Sequence, residues 1–273
     1  MLWCFGGDNL QIIESFIEGK TENRLLCEDA LVVTGDFIAV VDGVTGKTNR
    51  TFDGLSGGKA AASKVCECVE NFSADIDCYT AVEKITESIK SLYEENKPDG
   101  TAAAGAIIFS KARKEIWSVG DCRCIINGEL FTHEKEIDVL LSGIRSLVLE
   151  SEKRKGKTLE DLKKNDSGRE FILPLLKCQH IFANTEGEFS YGIFNGDKIP
   201  EDKIVIYKVK DGDEIVLASD GYPYLEATLK ESEARLREEI KNNPLCDGDF
   251  RSTKGLAEGN SSFDDRTYIR FKV

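Results

Sequence analysis

Short apolar segments follow one another along this chain with only a few residues between them. The first three cover residues 10–17, 30–34 and 37–41, and Gly35-Asp36 between the last two is typical of a hairpin turn. Strands joined by so few residues pair in antiparallel fashion, because a parallel pair needs a crossover of a dozen residues or more. The sequence therefore predicts antiparallel sheets rather than a doubly wound parallel sheet.

The remaining elements occur in groups. The spacing of apolar residues predicts helices over residues 59–72, 79–94, 134–152 and 226–242. Further strands are predicted at residues 102–109, 115–119, 124–127, 130–132, 180–183, 190–194, 203–209, 214–218 and 267–272. Because the helices come in consecutive groups instead of alternating with strands, the predicted fold class is α+β, with two packed antiparallel β-sheets flanked by α-helices.

The length and charge of the chain limit the classes of function. With 273 residues and no repeat or linker, it is expected to form one domain over residues 1–273. The net charge of −13 disfavours binding to nucleic acid or anionic lipid, because like charges repel. The absence of a secretory signal and of a long apolar stretch predicts a cytoplasmic protein without membrane attachment. Residues 153–170, where acids and bases interleave, are expected to form a mobile surface excursion.

Two strand-like segments end in the same pair of residues. Residues 37–41 lead into Asp42-Gly43, and residues 215–219 lead into Asp220-Gly221. One interpretation is a turn, because Asp-Gly is a favoured turn pair. The other is that two carboxylates lie at the edge of the core, where clustered acids need a cation to neutralise them.

More acids occupy similar positions beside predicted strands. Acids at several strand ends suit a hard cation such as Mg²⁺ or Mn²⁺, which takes oxygen ligands and retains some water. The competing interpretation is that acids flank strands simply because strand ends meet water. The additional acids are Glu28-Asp29, Asp121 and Asp264-Asp265.

Taken in chain order, these segments resemble the motifs of the PP2C-type, metal-dependent protein phosphatases, and the resemblance spans nearly the whole chain. Each motif alone is weak evidence, but seven in the family's order are specific. The matching segments are residues 24–29 (RLLCED), 41–46 (VDGVTG), 58–63 (GKAAAS), 100–102 (GTA), 119–123 (VGDCR), 213–221 (DEIVLASDG) and 264–267 (DDRT). The resemblance implies the α/β/β/α sandwich of that family.

The resemblance also implies a role for each matching residue. Asp42 would bridge two Mn²⁺ or Mg²⁺ ions with help from the Gly43 carbonyl, and a hydroxide between the ions would attack phosphorus directly. A third, weaker metal site is implied as well. The other implied roles are Asp220 and Asp264 as ligands of the first ion, Glu28 as a ligand of the second, Asp29 in contact with metal-bound water, Asp121 at the third ion, and Arg24 as the phosphate-binding group.

The chain departs from the family pattern at several positions. Val44 stands where eukaryotic members often have a histidine, and Cys27 and Asp265 each replace a usual asparagine. The loop over residues 47–57 is longer than usual, and its Lys47 and Arg50 are candidates for substrate contact. The segment at about residues 150–200 falls where members of the family carry a variable flap beside the active site.

The cysteines do not indicate a cysteine-based phosphatase mechanism or a zinc site. None of the nine cysteines is followed by an arginine in a C-x₅-R pattern, which a cysteine-based phosphatase would need. The C-x-C pairs at Cys66 and Cys122 do not have the spacing of zinc sites, and two histidines do not make a multi-histidine centre.

The leading hypothesis is therefore a Mn²⁺- or Mg²⁺-dependent phosphatase acting on phosphoserine and phosphothreonine in proteins. The implied partners are a phosphoprotein substrate and a serine/threonine kinase pathway. Two alternatives stay open at this point: a catalytically silent domain of the same fold used for binding or regulation, and a hydrolase of small phosphate esters.

Overall fold

The computed structural model describes residues 10–46, 50–93 and 102–273. Its helices are α1 (Gly57–Glu70), α2 (Cys78–Lys90), α3 (Glu136–Arg154), α4 (Leu159–Lys164), α5 (Ser167–Cys178) and α6 (Leu229–Asn242). Its strands are β1 (Gln11–Glu18), β2 (Ala30–Val33), β3 (Phe37–Gly43), β4 (Thr51–Phe52), β5 (Leu55–Ser56), β6 (Ala104–Ser110), β7 (Glu115–Val119), β8 (Arg123–Ile126), β9 (Glu129–Phe131), β10 (Val205–Lys208), β11 (Glu214–Ala218) and β12 (Arg266–Lys272).

Two five-stranded sheets form the centre of the structure. The first has the order β1-β12-β11-β8-β9, and the second has the order β10-β7-β6-β3-β2. Neighbouring strands in both sheets pair antiparallel, and a separate small hairpin joins β4 and β5. The predicted α+β class with two antiparallel sheets is confirmed.

Strand β3 is buried on both faces, which explains its uninterrupted apolar run. Its residues Ile38 and Val40 point between the sheets, into a buried cluster that includes Leu217 of β11 and Phe271 of β12. The alternate residues of β3 face the other way, because successive strand side chains point to opposite faces. That second face packs against α1 and α2 through Phe37, Ala39, Val41, Val65 and Ile85.

The opposite side of the sandwich is covered by α6. Leu236 of this helix packs with Val216 of β11 and Tyr268 of β12 in a third buried cluster. The two sheets are therefore flanked by helices on both outer sides, as predicted. Within the described residues, no helix is long and apolar enough to cross a membrane.

The helices of the segment that follows α3 were not predicted from the sequence. Residues 153–170, expected as a surface excursion, contain the end of α3, all of α4 and the start of α5. Their helical character comes from caps and tertiary packing. Thr158 and Asp161 form a reciprocal capping box at α4, and Ile172 of α5 packs against Leu141 of α3.

Two predicted strands in the same region are also absent. Residues 180–183 fall largely in a 3₁₀ helix (Gln179–Phe182), and residues 190–194 form only isolated bridges. The bridges join Ala183 to Tyr191 and Ala104 to Phe194. Short apolar runs do not by themselves distinguish a strand from a turn of helix or an irregular segment.

Candidate active site

A cavity of about 1120 Å³ opens at one edge of the sandwich. In antiparallel sheets the end of one strand lies beside the start of its neighbour, so acids at different strand ends meet at one edge. Four aspartates line the cavity in this way. They are Asp42 at the end of β3, Asp121 between β7 and β8, Asp220 after β11 and Asp264 before β12.

Asp42 and Asp220 form the inner part of this cluster, and both are half-buried. Burial, followed by repulsion from Asp121 and Asp264, raises the pKa of Asp220 to about 7. Burial, followed by repulsion from the neighbouring aspartates, raises the pKa of Asp42 well above its usual range. Their negative charges are therefore poorly compensated by the protein itself.

Asp121 and Asp264 are each paired with lysine. The Asp121 carboxylate lies 2.8 Å from Nζ of Lys135. The Asp264 carboxylate binds Lys20 at 2.8 Å and also binds Lys254. Although burial acts in the opposite direction, these two lysines lower the pKa of Asp264 to about 2.

Glu28 is buried beside the N-terminus of α1. Its carboxylate accepts hydrogen bonds from Thr45 Oγ1 at 2.6 Å and from Ser56 Oγ at 2.5 Å. Nζ of Lys20 lies 3.9 Å from Oε2 of Glu28. Glu28 thus connects to the aspartate cluster through Lys20 and Thr45, although it does not line the large cavity.

Asp29, the residue after Glu28, is buried in the interior. It accepts a hydrogen bond of 2.9 Å from Thr267 Oγ1 and a second one from the Ser219 hydroxyl. Burial, together with repulsion from Asp265 and Asp220, raises the pKa of Asp29 to about 8. Asp29 therefore contributes to the field at Asp42 without lining the cavity.

The glycines of the two Asp-Gly pairs allow backbone segments to approach closely. A Cβ atom on Gly43 would lie 2.5 Å from the carbonyl oxygen of Glu28. A Cβ atom on Gly221 would lie 2.0 Å from the carbonyl oxygen of Asp265. Because only glycine fits at such distances, these pairs bring the acid-bearing segments together and are more than turns.

Comparison with solved structures identifies the fold. The serine/threonine phosphatase Stp1 from Staphylococcus aureus superposes with a TM-score of 0.52 at 15% identity, covering 100% of this chain and 99% of that one. A bacterial serine phosphatase gives 0.50 at 15% identity, covering 95% and 96%. The catalytic domain of the phosphatase PstP, solved with two manganese ions, gives 0.49 at 16% identity, covering 96% and 98%.

The chain has the PP2C phosphatase fold. The resemblance noted between the sequence motifs and that family is thereby confirmed at the level of the fold. No protein-family model matches the sequence, and no curated protein matches it either. The likeness is therefore one of three-dimensional architecture and motif order.

Not every predicted site residue lies at the cavity of this PP2C fold. Arg24 is exposed on a short 3₁₀ helix (Arg24–Leu26) and is not among the residues that line the cavity. Arg50 is exposed and lies over the Phe52 ring at 5.4 Å. Lys47 and the motif residues Gly100 and Thr101 lie outside the described residues.

Sequence reasoning missed the cations of the site. Lys135 and Lys254 line the cavity, Lys20 reaches Asp264 from the end of β1, and Arg169 of α5 also lines the cavity. None of these residues falls in a matched motif. Their positions follow from tertiary contacts, for which the sequence carries no local signal.

The donor atoms of the cluster suit a hard divalent cation, because all are oxygens and, within the described residues, neither inner carboxylate forms an ion pair with a lysine. Within the described residues, however, no three acidic, histidine or cysteine side chains surround a single point as metal ligands. The chemistry of the donors thus fits Mn²⁺ or Mg²⁺ at Asp42 and Asp220. At Asp264 and Glu28, lysine ammonium groups already neutralise the carboxylates.

Proposed function

We propose that this protein is a metal-dependent phosphatase that hydrolyses phosphoserine and phosphothreonine in proteins. The observation that supports this is the convergence of four aspartates, from four separate strand ends, on one cavity of a PP2C fold. Such a concentration of partly buried carboxylates is unfavourable unless a cation offsets it. The two inner aspartates, with their raised pKa values, have the strongest need for one.

Asp42, the Gly43 carbonyl, Asp220, Asp264 and Glu28 would hold two Mn²⁺ or Mg²⁺ ions, with Asp121 at a weaker third site. When bound, such ions activate water as a nucleophile and offset charge on the phosphate. The chain's own residues position the acids rigidly, because each is fixed at a strand end or hydrogen-bonded to a neighbour. Asp29 supports this arrangement from behind through Thr267 and Ser219.

The cavity also contains groups suited to attract a phosphate ester. Several cations line it, among them Arg123, Lys135, Arg169 and Lys254. Positive groups around an anionic substrate raise its local concentration and hold its oxygens. The cavity has room for a phosphorylated side chain of a protein, whose phosphate a serine/threonine kinase would have added.

Hydrolysis of p-nitrophenyl phosphate tests this proposal. Activity is measured with MnCl₂ and with EDTA for wild type, Asp220→Asn and Asp75→Asn. Asp75 is an exposed aspartate that does not line the cavity, and it serves as the matched control. We expect Mn²⁺-dependent turnover that Asp220→Asn abolishes and Asp75→Asn retains. Phosphoserine and phosphothreonine peptides then test the substrate class.

A second candidate function has an observation in its favour. The pairing of Asp121 and Asp264 with lysines, and the exposed position of Arg24, are features expected of a catalytically silent PP2C-like domain used for binding. The same assay distinguishes the two. Absence of turnover by a folded wild-type protein with MnCl₂ would favour the silent domain.

A further inference from the structure

The side chain of Lys20 ends at the centre of a group of oxygens. Its Nζ atom lies 2.8 Å from Asp264 Oδ1, 3.0 Å from Thr45 Oγ1, 3.5 Å from Asp265 Oδ2 and 3.9 Å from Glu28 Oε2. The side chain is only 18% exposed. Three carboxylates and a hydroxyl therefore surround one ammonium group.

The backbone of Lys20 is held in place as firmly as its side chain. Its N–H donates to Asp265 Oδ1 at 2.8 Å, and its carbonyl accepts from the Ser261 N–H at 2.8 Å. The other oxygen of Asp265 accepts from the Glu28 N–H at 2.9 Å. Asp265 thus links the backbone at Lys20 to the backbone at Glu28. These contacts fix the backbone of Lys20, so its ammonium can leave the group only if the side chain rotates outward.

The ammonium of Lys20 offsets part of the negative charge of this group. Asp265 stands where an asparagine was expected and adds one negative charge. Lys20 adds one positive charge at 3.5 Å from it. By contrast, within the described residues neither Asp42 nor Asp220 forms an ion pair with a lysine. The two sides of the acid cluster therefore differ in how they are neutralised.

We propose that the Lys20 ammonium is a built-in cation between Glu28 and Asp264, and that a divalent ion binds to either of these carboxylates only by displacing it. Both cations need the same carboxylate oxygens, so their binding is mutually exclusive. The consequence is one ion bound more weakly than the carboxylates alone would allow. This inference concerns metal affinity, and it does not require the protein to be an active phosphatase.

Isothermal titration with MnCl₂ on metal-free protein tests the proposal. The variants are Lys20→Met, which removes the ammonium, and Lys177→Met, which removes an exposed lysine at the rim of the same cavity. We expect Lys20→Met to bind one Mn²⁺ ion at least about tenfold more tightly than wild type, which is about 1.4 kcal/mol. Lys177→Met should match wild type.

An unchanged or weaker affinity in folded Lys20→Met would overturn the proposal, as would equal tightening by Lys177→Met. Lys20→Gln, which is uncharged but can still bond to Thr45, is titrated in parallel to separate charge from packing. If neither variant folds without metal, recovery of circular dichroism on adding MnCl₂ supports the proposal, and no recovery contradicts it. Because no substrate is present, failure here is distinct from failure of the proposed phosphatase activity.

Discussion

The Nη2 atom of Arg145 lies 2.6 Å from Oδ2 of Asp166, and the Arg145 side chain is fully buried. Its Nη1 atom donates to the carbonyl oxygens of Ser252 at 2.9 Å and Cys246 at 3.3 Å. One guanidinium therefore joins α3, the first turn of α5 and residues 246–252. Since Arg169 of α5 and part of 246–252 line the cavity, this contact helps to shape the candidate active site.

Replacing Arg145 should strongly destabilise the protein. Arg145→Met leaves Asp166 and two carbonyl groups without their buried partner, and removal of one member of such a pair costs about 3 kcal/mol or more. Urea unfolding measures the loss. Arg154→Met on the same helix is the control, because this arginine is 79% exposed and its pair with Glu150 is at the surface. A loss below about 1 kcal/mol for Arg145→Met would contradict the proposed anchoring.

The sequence predicted the sheets better than the helical segment beside the cavity. Strands β3 and β11 were recognisable because residues buried on both faces leave uninterrupted apolar runs. The start of α5 was not, because it depends on the Asp166 cap and on the distant Arg145. The acids of the site stood out through motif order. Lys20 did not, because its position at Asp264 arises from contacts across 244 residues.

Gly221 is expected to tolerate no side chain. In Gly221→Ala the new Cβ would meet the Asp265 carbonyl oxygen at 2.0 Å, which forces backbone to move. Such overpacking costs about 1–3 kcal/mol or more. Gly35→Ala is the control, because nothing lies within 4 Å of its Cβ position. Thermal unfolding of both variants checks the prediction, and equal melting temperatures would refute it.

The contribution of Asp220 to the stability of the metal-free protein should fall as the pH rises from about 4 to 7. Asp220 has a pKa of about 7 in the folded state against 3.8 when unperturbed, so the folded state holds its proton longer and is favoured at low pH. Asp220→Asn should remove this contribution to the pH dependence of stability. At pH 8 the metal-free variant should therefore be more stable than wild type by an amount on the order of 2 kcal/mol. Asp75→Asn should retain the wild-type slope. Denaturant titration at several pH values measures both, and a pH dependence of Asp220→Asn equal to that of wild type would argue against the assignment.

His133 should contribute a pH dependence of the opposite sign. Burial lowers the pKa of His133, whose Nε2 atom lies 2.5 Å from the Tyr207 hydroxyl. The unfolded chain therefore binds the proton first, so the contribution of His133 to stability declines as the pH falls below about 6.5. His133→Gln should weaken this decline between about pH 7 and 5.5. The exposed His180 provides the control, since His180→Gln should leave the decline unchanged.

The arginine that binds phosphate should be Arg169 rather than Arg24. Arg169 lines the cavity, and its electrostatic neighbours include Asp264 of the acid cluster. Of its guanidinium atoms, only Nη1 has a hydrogen-bond partner in the described part of the chain, the Thr253 carbonyl oxygen at 2.7 Å, so the other guanidinium N–H groups remain available to phosphate oxygens. Arg24 is exposed and outside the cavity lining.

If the proposed phosphatase activity holds, Arg169→Met should raise KM for p-nitrophenyl phosphate about tenfold, equivalent to one charged hydrogen bond of about 1.4 kcal/mol. Its effect on kcat should be smaller, because a group that holds the phosphate equally in ground and transition states contributes mainly to binding. Arg24→Met should change KM less than about threefold. The reverse ranking would instead support the role that the family resemblance gave to Arg24, because a guanidinium in the cavity would then be dispensable for substrate binding.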